Sequence, residues 1–247
     1  MNGIDDRGEQ RRPVAVGGLG LVPSVYVLLA ALTGVFFIRY SELDLLVSGR
    51  YWSPEEGFYL GGRWGAVVLY EAIPILTITL AVTLLGLLVV NLVKKRAVGP
   101  FTTRTVLFLI VGLAAGPGLV VNTLFKGNWG RPRPRDVTEF GGSLDFVPAL
   151  VPGGACERNC SFVAGHPSSV FWLAAFGFLL TGGRRYTVFT AAALAGFVAG
   201  AGRMVQGAHF LSDVIFSWVF TFGTVYVLAR WVFKVPPLYG PEAAPQG

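Results

Sequence analysis

At 247 residues, 53% hydrophobic and only 14% charged, the chain is too apolar for a water-soluble domain, in which about 25% of residues are charged. Its formal charge of +6 would suit a nucleic-acid binder. The basic residues, however, sit in short segments between apolar spans, which points to membrane topology and headgroup contact and argues against nucleic acid as partner.

A bilayer-spanning helix needs roughly 20 mostly apolar residues. Residues 1–13 are polar and carry Arg7, Arg11 and Arg12, and 1–20 are read as a cytoplasmic N-terminal segment. The first apolar span, 21–38, lacks a small-x-small cleavage site and is read as an uncleaved helix. Further spans are expected at 65–93, 104–125, 168–182, 186–202 and 211–233. The second is long enough to tilt, and Pro74 is placed to kink it. The fourth and fifth are short and Gly-containing, joined by Gly182-Gly183-Arg184-Arg185 as a tight hairpin. The expected fold is therefore all-α: a polytopic membrane domain over 21–235 with six transmembrane helices, followed by a disordered tail at 236–247. No internal repeat supports an inverted-repeat transporter.

Lys94, Lys95, Arg96 and Arg104 separate the second and third spans, Arg184 and Arg185 the fourth and fifth, and Lys234 follows the sixth. By the positive-inside rule both termini are cytoplasmic in a bacterial inner membrane. The segments 39–64, 126–167 and 203–210 then face the periplasm. The first of these is read as a loop whose tryptophans belong to an interfacial belt. Cys156 and Cys160 are either plain thiols or, in an oxidising compartment, a disulfide if the loop curls back.

Both histidines of the chain lie on that outer side, in polar motifs at the edges of apolar stretches. Lys126-Gly-Asn-Trp-Gly-Arg131-Pro-Arg133-Pro134 closes the third span, Ser161-Phe-Val-Ala-Gly165-His166 opens the fourth, and Arg203 precedes His209 and Asp213, which opens the sixth. Arg offers a planar fork of donors to phosphate oxygens and Lys a point charge. Gly165 permits close approach of backbone to an anion. His209 and Asp213, four apart, share a helix face, so a carboxylate can accept from one imidazole nitrogen and leave the other free to attack phosphorus. A second histidine can protonate the departing oxygen.

These segments resemble the three-part signature of the type 2 phosphatidic acid phosphatase (PAP2) superfamily: K-x6-R-P, P-S-G-H and S-R-x5-H-x3-D. The resemblance implies that His209 is the nucleophile, Asp213 its orienting partner and His166 the general acid. It implies that Lys126, Arg133 and Arg203 hold the phosphate, with Gly165 and position 164 beside it. It implies neither metal nor other cofactor, and Asp136, Glu139, Asp145 and Glu157 lack ligand-like spacing. The Cys-Ser-Phe-Val-x-Gly-His segment is similar to the bacterial lipid A phosphatase branch.

Two of the three motifs depart from the signature. Val163-Ala164 replaces Pro-Ser, removing a hydroxyl whose hydrogen bond to a charged group would be worth about 1.5–3 kcal/mol, or about 10- to 100-fold in rate. Backbone groups suffice, Ser161 or Ser168 substitutes, or Ala164 is an engineered change that traps substrate. Gly202 replaces Ser, which removes a supporting contact. Arg131 and Arg135 are either a second anionic contact or solvated, and Glu71 either pairs with a cation or sits at the interface.

The expected activity is metal-independent release of phosphate from a membrane lipid, with lipid A the first choice. Undecaprenyl pyrophosphate, phosphatidylglycerol phosphate and phosphatidate are the alternatives. A lipid phosphotransferase and an inactive lipid-binding homologue are the rival classes. Oligomeric state is not legible in Gly-rich helices.

Overall fold

A computed structural model describes residues 23–154, 156–157 and 159–233. The N-terminal segment 1–20 and the tail 236–247 lie outside the described residues. Within them the chain is helical, without strands beyond isolated bridges such as Ser53 with Gly57.

Helix α1 (Pro23–Arg39) starts on proline, whose missing N–H costs nothing at a first helical position. It then bends by 76° into α2 (Glu42–Gly49). The expected loop at 39–64 thus contains a helix. Its buried side carries Asp44 and Ser48, and Glu42 and Asp44 in its first turn suit the helix dipole. The backbone N–H of Ser212, far along the chain, donates to Asp44 Oδ1 at 2.8 Å and fixes α2 in place.

Helix α3 (Trp64–Lys94) runs through Pro74 and stops at Lys95, which has a left-handed φ of 50°. Asn91 closes the turn to α4, donating to the Phe101 carbonyl at 2.7 Å and accepting from the Val98 N–H at 3.0 Å. Helix α4 (Thr103–Leu113), capped by Thr102, continues over Ala114–Phe125 in wider π-helical turns. Pro117 lies in that segment and has no N–H for an ordinary helical bond. Bonds there span five residues, as from the Lys126 N–H to the Val121 carbonyl.

The expected span at 168–182 is replaced by two short helices, α5 (Gly165–Phe171) and α6 (Ala174–Gly177). Around and after the break the backbone bonds three residues back: Leu173 to Val170, Ala175 to Trp172, Phe176 to Leu173, Leu179 to Phe176. Such turns rise about 2.0 Å per residue instead of 1.5 Å, so a short segment reaches further across the apolar layer. The indole N–H of Trp172 donates to the Leu109 carbonyl at 3.1 Å and anchors the break against α4.

Helix α7 (Gly182–Met204) begins earlier than expected, so Arg184 and Arg185 lie in its first turn rather than in a hairpin loop, and Arg203 lies in its last. Arg185 is buried, with Nε donating to the Leu180 carbonyl. Helix α8 (Leu211–Phe233) packs against α4, α5 and α7. By length and composition α3, the whole stretch 103–125, α7 and α8 can each cross a membrane, and the bent α1–α2 pair makes a fifth candidate. Apolar residues of α3 such as Ile75, Leu76, Ile78 and Val82 are exposed, as a lipid-facing surface requires.

Lipid tails are as apolar as the helices, so close packing rather than water exclusion must hold α7 to its neighbours. Gly196 and Gly200 provide it. A Cβ at Gly196 would lie 2.1 Å from the Phe171 ring, and one at Gly200 2.3 Å from Val214. A Cβ at Gly202 meets only the end of Leu69, at 3.2 Å. We expect Gly196→Ala and Gly200→Ala each to cost about 1–3 kcal/mol of stability. Gly202→Ser should stay within about 0.5 kcal/mol. Thermal unfolding in detergent micelles tests the contrast.

Candidate active site

The three motifs meet at one end of the helices. Lys126 caps the end of the π-helical segment, His166 sits in the first turn of α5, Arg203 in the last turn of α7, and Asp213 in the first turn of α8. His209 lies in the short connection between the last two. Gly165 allows the start of α5 to close on α4: an added Cβ would stand 2.7 Å from Asn122 Oδ1 and 3.5 Å from Lys126 Nζ. A cavity of about 280 Å³ opens there, lined in part by Asn122, Lys126, Gly165, His166 and Ser169.

Ser161 joins the motifs. Its N–H donates to the Arg131 carbonyl at 2.8 Å, its hydroxyl donates to Asp213 Oδ2, and its carbonyl lies 2.8 Å from His209 Nδ1. A carbonyl only accepts, so Nδ1 carries the proton and Nε2 keeps its lone pair. His209 is fully buried and, among the described residues, Nε2 has no hydrogen-bond partner. Burial, partly offset by Asp213, lowers the His209 pKa to about 4, so the ring is neutral near pH 7.

Asp213 stands beside His209 but is not the nearest acceptor of its Nδ1 proton. Its carboxylate is 3.6 Å from Nδ1, farther than the Ser161 carbonyl. Its oxygens are engaged by Arg131 at 2.5 Å, by the Ser161 hydroxyl and by the Phe210 backbone N–H at 2.8 Å. The last contact is a helix-start acid reaching back to a free N–H.

Arg131 is neither solvated nor part of the open pocket. It is completely buried, paired with Asp44 at 2.8 Å and Asp213 at 2.5 Å, and covered by the Phe210 ring at 4.4 Å. Nε donates to the Val147 carbonyl and Nη1 also to the Ser212 hydroxyl, both at 2.8 Å.

The other cations are left for a ligand. Among the described residues Lys126, Arg133 and Arg203 form no ion pair. Arg133 donates through Nε and Nη2 to the Asn159 carbonyl, at 3.1 and 2.7 Å. Asn159 lies inside a loop closed by a Cys156–Cys160 disulfide with Cα atoms 5.8 Å apart. Arg203 Nη1 meets Gln206 Oε1, while its buried Nε has no hydrogen-bond partner among the described residues. Burial, then repulsion from Arg133 and Arg203, lowers the Lys126 pKa to about 8.

Ala164 offers this pocket nothing. Its side chain is fully buried with Phe171, Met204 and Val214, its N–H donates to the Asp213 carbonyl, and its carbonyl accepts from Ser217. The proposed substitutes are also engaged, Ser161 with Asp213 and Ser168 with the Gly165 carbonyl at 2.5 Å. Sequence reasoning missed Asp44, the linking role of Ser161, and Tyr70, whose ring stacks on His166. Only the hydroxyl run Ser161, Ser168, Ser212 and Ser217 hints at a bonded network.

Fold and pocket together define a helical membrane protein that gathers cations around a neutral histidine with one unpaired nitrogen. Residues 105–237 match the PAP2 superfamily. Over 206 residues the chain is 36% identical to the lipid A 4'-phosphatase of Francisella tularensis subsp. novicida (strain U112), covering 81% of this chain and 90% of that protein. Shorter matches join it to proteins of the same name from Rhizobium etli, 42% identical over 45% of this chain and 44% of that one, and Rhizobium leguminosarum, 41% identical over 43% and 46%. No solved structure matches. The chain belongs to the PAP2 superfamily.

Arg131→Ala would leave Asp44 and Asp213 buried without their cation, costing about 3–5 kcal/mol. Asp44→Asn leaves a neutral Arg131–Asp213 pair and should cost clearly less, as read by thermal unfolding in detergent. Ala164→Ser should raise turnover less than threefold, because the added hydroxyl enters an apolar cluster.

Proposed function

We propose that the chain removes a phosphate monoester from lipid A, as the names of its relatives say of them, through a phosphohistidine on His209. The observation that carries this reading is the buried His209, with Nδ1 tied to Ser161 and Nε2 unpaired. Lys126, Arg133 and Arg203 hold the phosphate oxygens and stabilise the charge that develops on them. Nε2 bonds to phosphorus, the P–O bond to the sugar breaks, and the leaving oxygen takes a proton from His166. Water then attacks phosphorus, giving its proton to His166, and the N–P bond breaks to release phosphate.

Six spans fit this reading if α5 and α6 together act as the fourth. The disulfide near Arg133 supports a periplasmic site, since such bonds persist in oxidising compartments. Lys94, Lys95, Arg96 and Arg104 lie at the far ends of α3 and α4, in keeping with a cytoplasmic opposite face. The substrate's chains have a place as well. A groove of about 660 Å³ between α3, α5 and α7 shares Ile73, Thr77 and Ser169 with the phosphate cavity and is lined mainly by apolar side chains, among them Leu76, Leu173 and Val198.

Phosphate release should be measured with lipid A, undecaprenyl pyrophosphate, phosphatidylglycerol phosphate and phosphatidate, with and without EDTA. We expect lipid A to be preferred, EDTA to have no effect, and His209→Ala to abolish release. A newly phosphorylated lipid in place of free phosphate would instead establish transfer.

The profile of kcat/KM against pH reports groups of the free enzyme. The Lys126 charge is present below a pKa of about 8 and lost as pH rises through it. Activity should therefore fall on the alkaline side near pH 8. Lys126→Arg, which stays charged, should move that limb upward; an unmoved limb would remove Lys126 from the phosphate site.

A further inference from the structure

Tyr70 lies on the second turn of α3, outside all three motifs. Its ring centroid is 4.9 Å from that of His166, with the planes 27° apart. The guanidinium carbon of Arg203 lies 4.5 Å from the same ring centroid. One aromatic side chain thus touches a histidine and an arginine that arrive from α5 and α7. The His166 ring makes no hydrogen bond among the described residues, so nothing polar fixes its angle. The start of α3 holds Arg203 by a second route: Gln206 contacts Arg203 and donates to the Ala66 carbonyl at 3.1 Å and the Gly61 carbonyl at 3.5 Å.

We propose that Tyr70 is the positioning residue for His166 and Arg203, its ring holding the imidazole where the leaving oxygen needs a proton. This rests on the role given to His166 under the proposed function. A flat aromatic face suits both groups. It stacks with neutral imidazole and attracts the guanidinium and the protonated imidazole through its quadrupole. The ring therefore holds His166 without competing for its ring nitrogens, which a hydrogen-bonding partner would occupy. Tyr70 is 44% exposed, so the ring also borders the space a substrate enters. That exposure sets up the rival account, in which Tyr70 is only a wall of the lipid path.

Two measurements separate the accounts. The first is lipid A dephosphorylation by the full chain, by Tyr70→Leu and by Tyr70→Phe. Tyr70→Leu should lower kcat about 10-fold, the size of a partly desolvated cation–aromatic contact, with KM changed less than twofold. Tyr70→Phe, which keeps the ring, should recover most of the rate. A rise in KM alone, or an equal loss in both variants, overturns the proposal. The second needs no turnover. With only two histidines in the chain, 13Cε1-histidine labelling gives two signals, assigned by His209→Ala. The His166 signal should be shifted by the ring current of Tyr70, should move in Tyr70→Leu and should hold in Tyr70→Phe; an unmoved signal in Tyr70→Leu also overturns it. Absence of phosphate release by the unaltered chain would sink the lipid A reading but leave the histidine signals to judge the contact with Tyr70.

Discussion

The buried guanidinium of Arg131 is the interaction on which the site depends. A charge taken fully out of water is tolerable only when its donors are met with good geometry. Here Asp44 comes from α2, Asp213 and Ser212 from α8, and the Val147 carbonyl from the loop between. Phe210 covers the face. None of these segments can shift without stranding part of the network. Since Asp213 is engaged by Arg131, Ser161 and the Phe210 N–H, it works mainly as the keystone of the helix start. The Nδ1–H of His209 donates to the Ser161 backbone carbonyl, which is nearer than Asp213. A carbonyl cannot take that proton, so the tautomer that leaves Nε2 unprotonated is fixed by geometry.

The same pairing settles the charge of the pocket. Arg131 is neutralised internally, whereas Lys126, Arg133 and Arg203 form no ion pair among the described residues. Mutual repulsion lowers the Lys126 pKa, after burial. An anion with several oxygens relieves that repulsion and supplies acceptors for the unpaired Arg203 Nε. In the proposed reaction this repulsion would favour a bound phosphate group over the empty pocket. Inorganic phosphate, the product of the proposed reaction, would share that attraction.

Much of this was legible in the sequence because an apolar chain makes its ionisable residues conspicuous. Lys126, Arg133, His166, Arg203 and His209 stood out by type, order and spacing. Asp44 did not, because nothing distinguishes it locally from Glu42 or Glu55; only the fold brings α2 against Ser212. The i, i+4 spacing of His209 and Asp213 suggested a direct pair. The two do stand 3.6 Å apart, but His209 lies before the helix begins, where its ring meets the Ser161 carbonyl more closely. Ala164 looked like a lost phosphate contact for a similar reason: a motif gives the position of a side chain along the chain but not the side it faces. The apolar run at 168–182 carries no mark of its break, since hydropathy does not distinguish ordinary helical turns from tighter ones.

The irregular elements are themselves informative. A bilayer tolerates backbone that departs from regular helix only where protein or a cavity satisfies its polar groups. The π-helical end of α4 delivers Asn122 and Lys126 to the cavity, and the side chain of Asn122 donates to the Pro117 carbonyl at 2.6 Å. The interrupted α5–α6 segment starts at Gly165, one residue before His166, and is pinned through Trp172 to α4. Regular α3 and α7 flank these pieces and bear Tyr70 and Arg203. The irregular segments thus place Lys126 and His166, while the regular helices carry Tyr70 and Arg203. A straight fourth helix would have spanned the membrane more simply, but nothing in it would need α4 to end in wide turns beside Gly165.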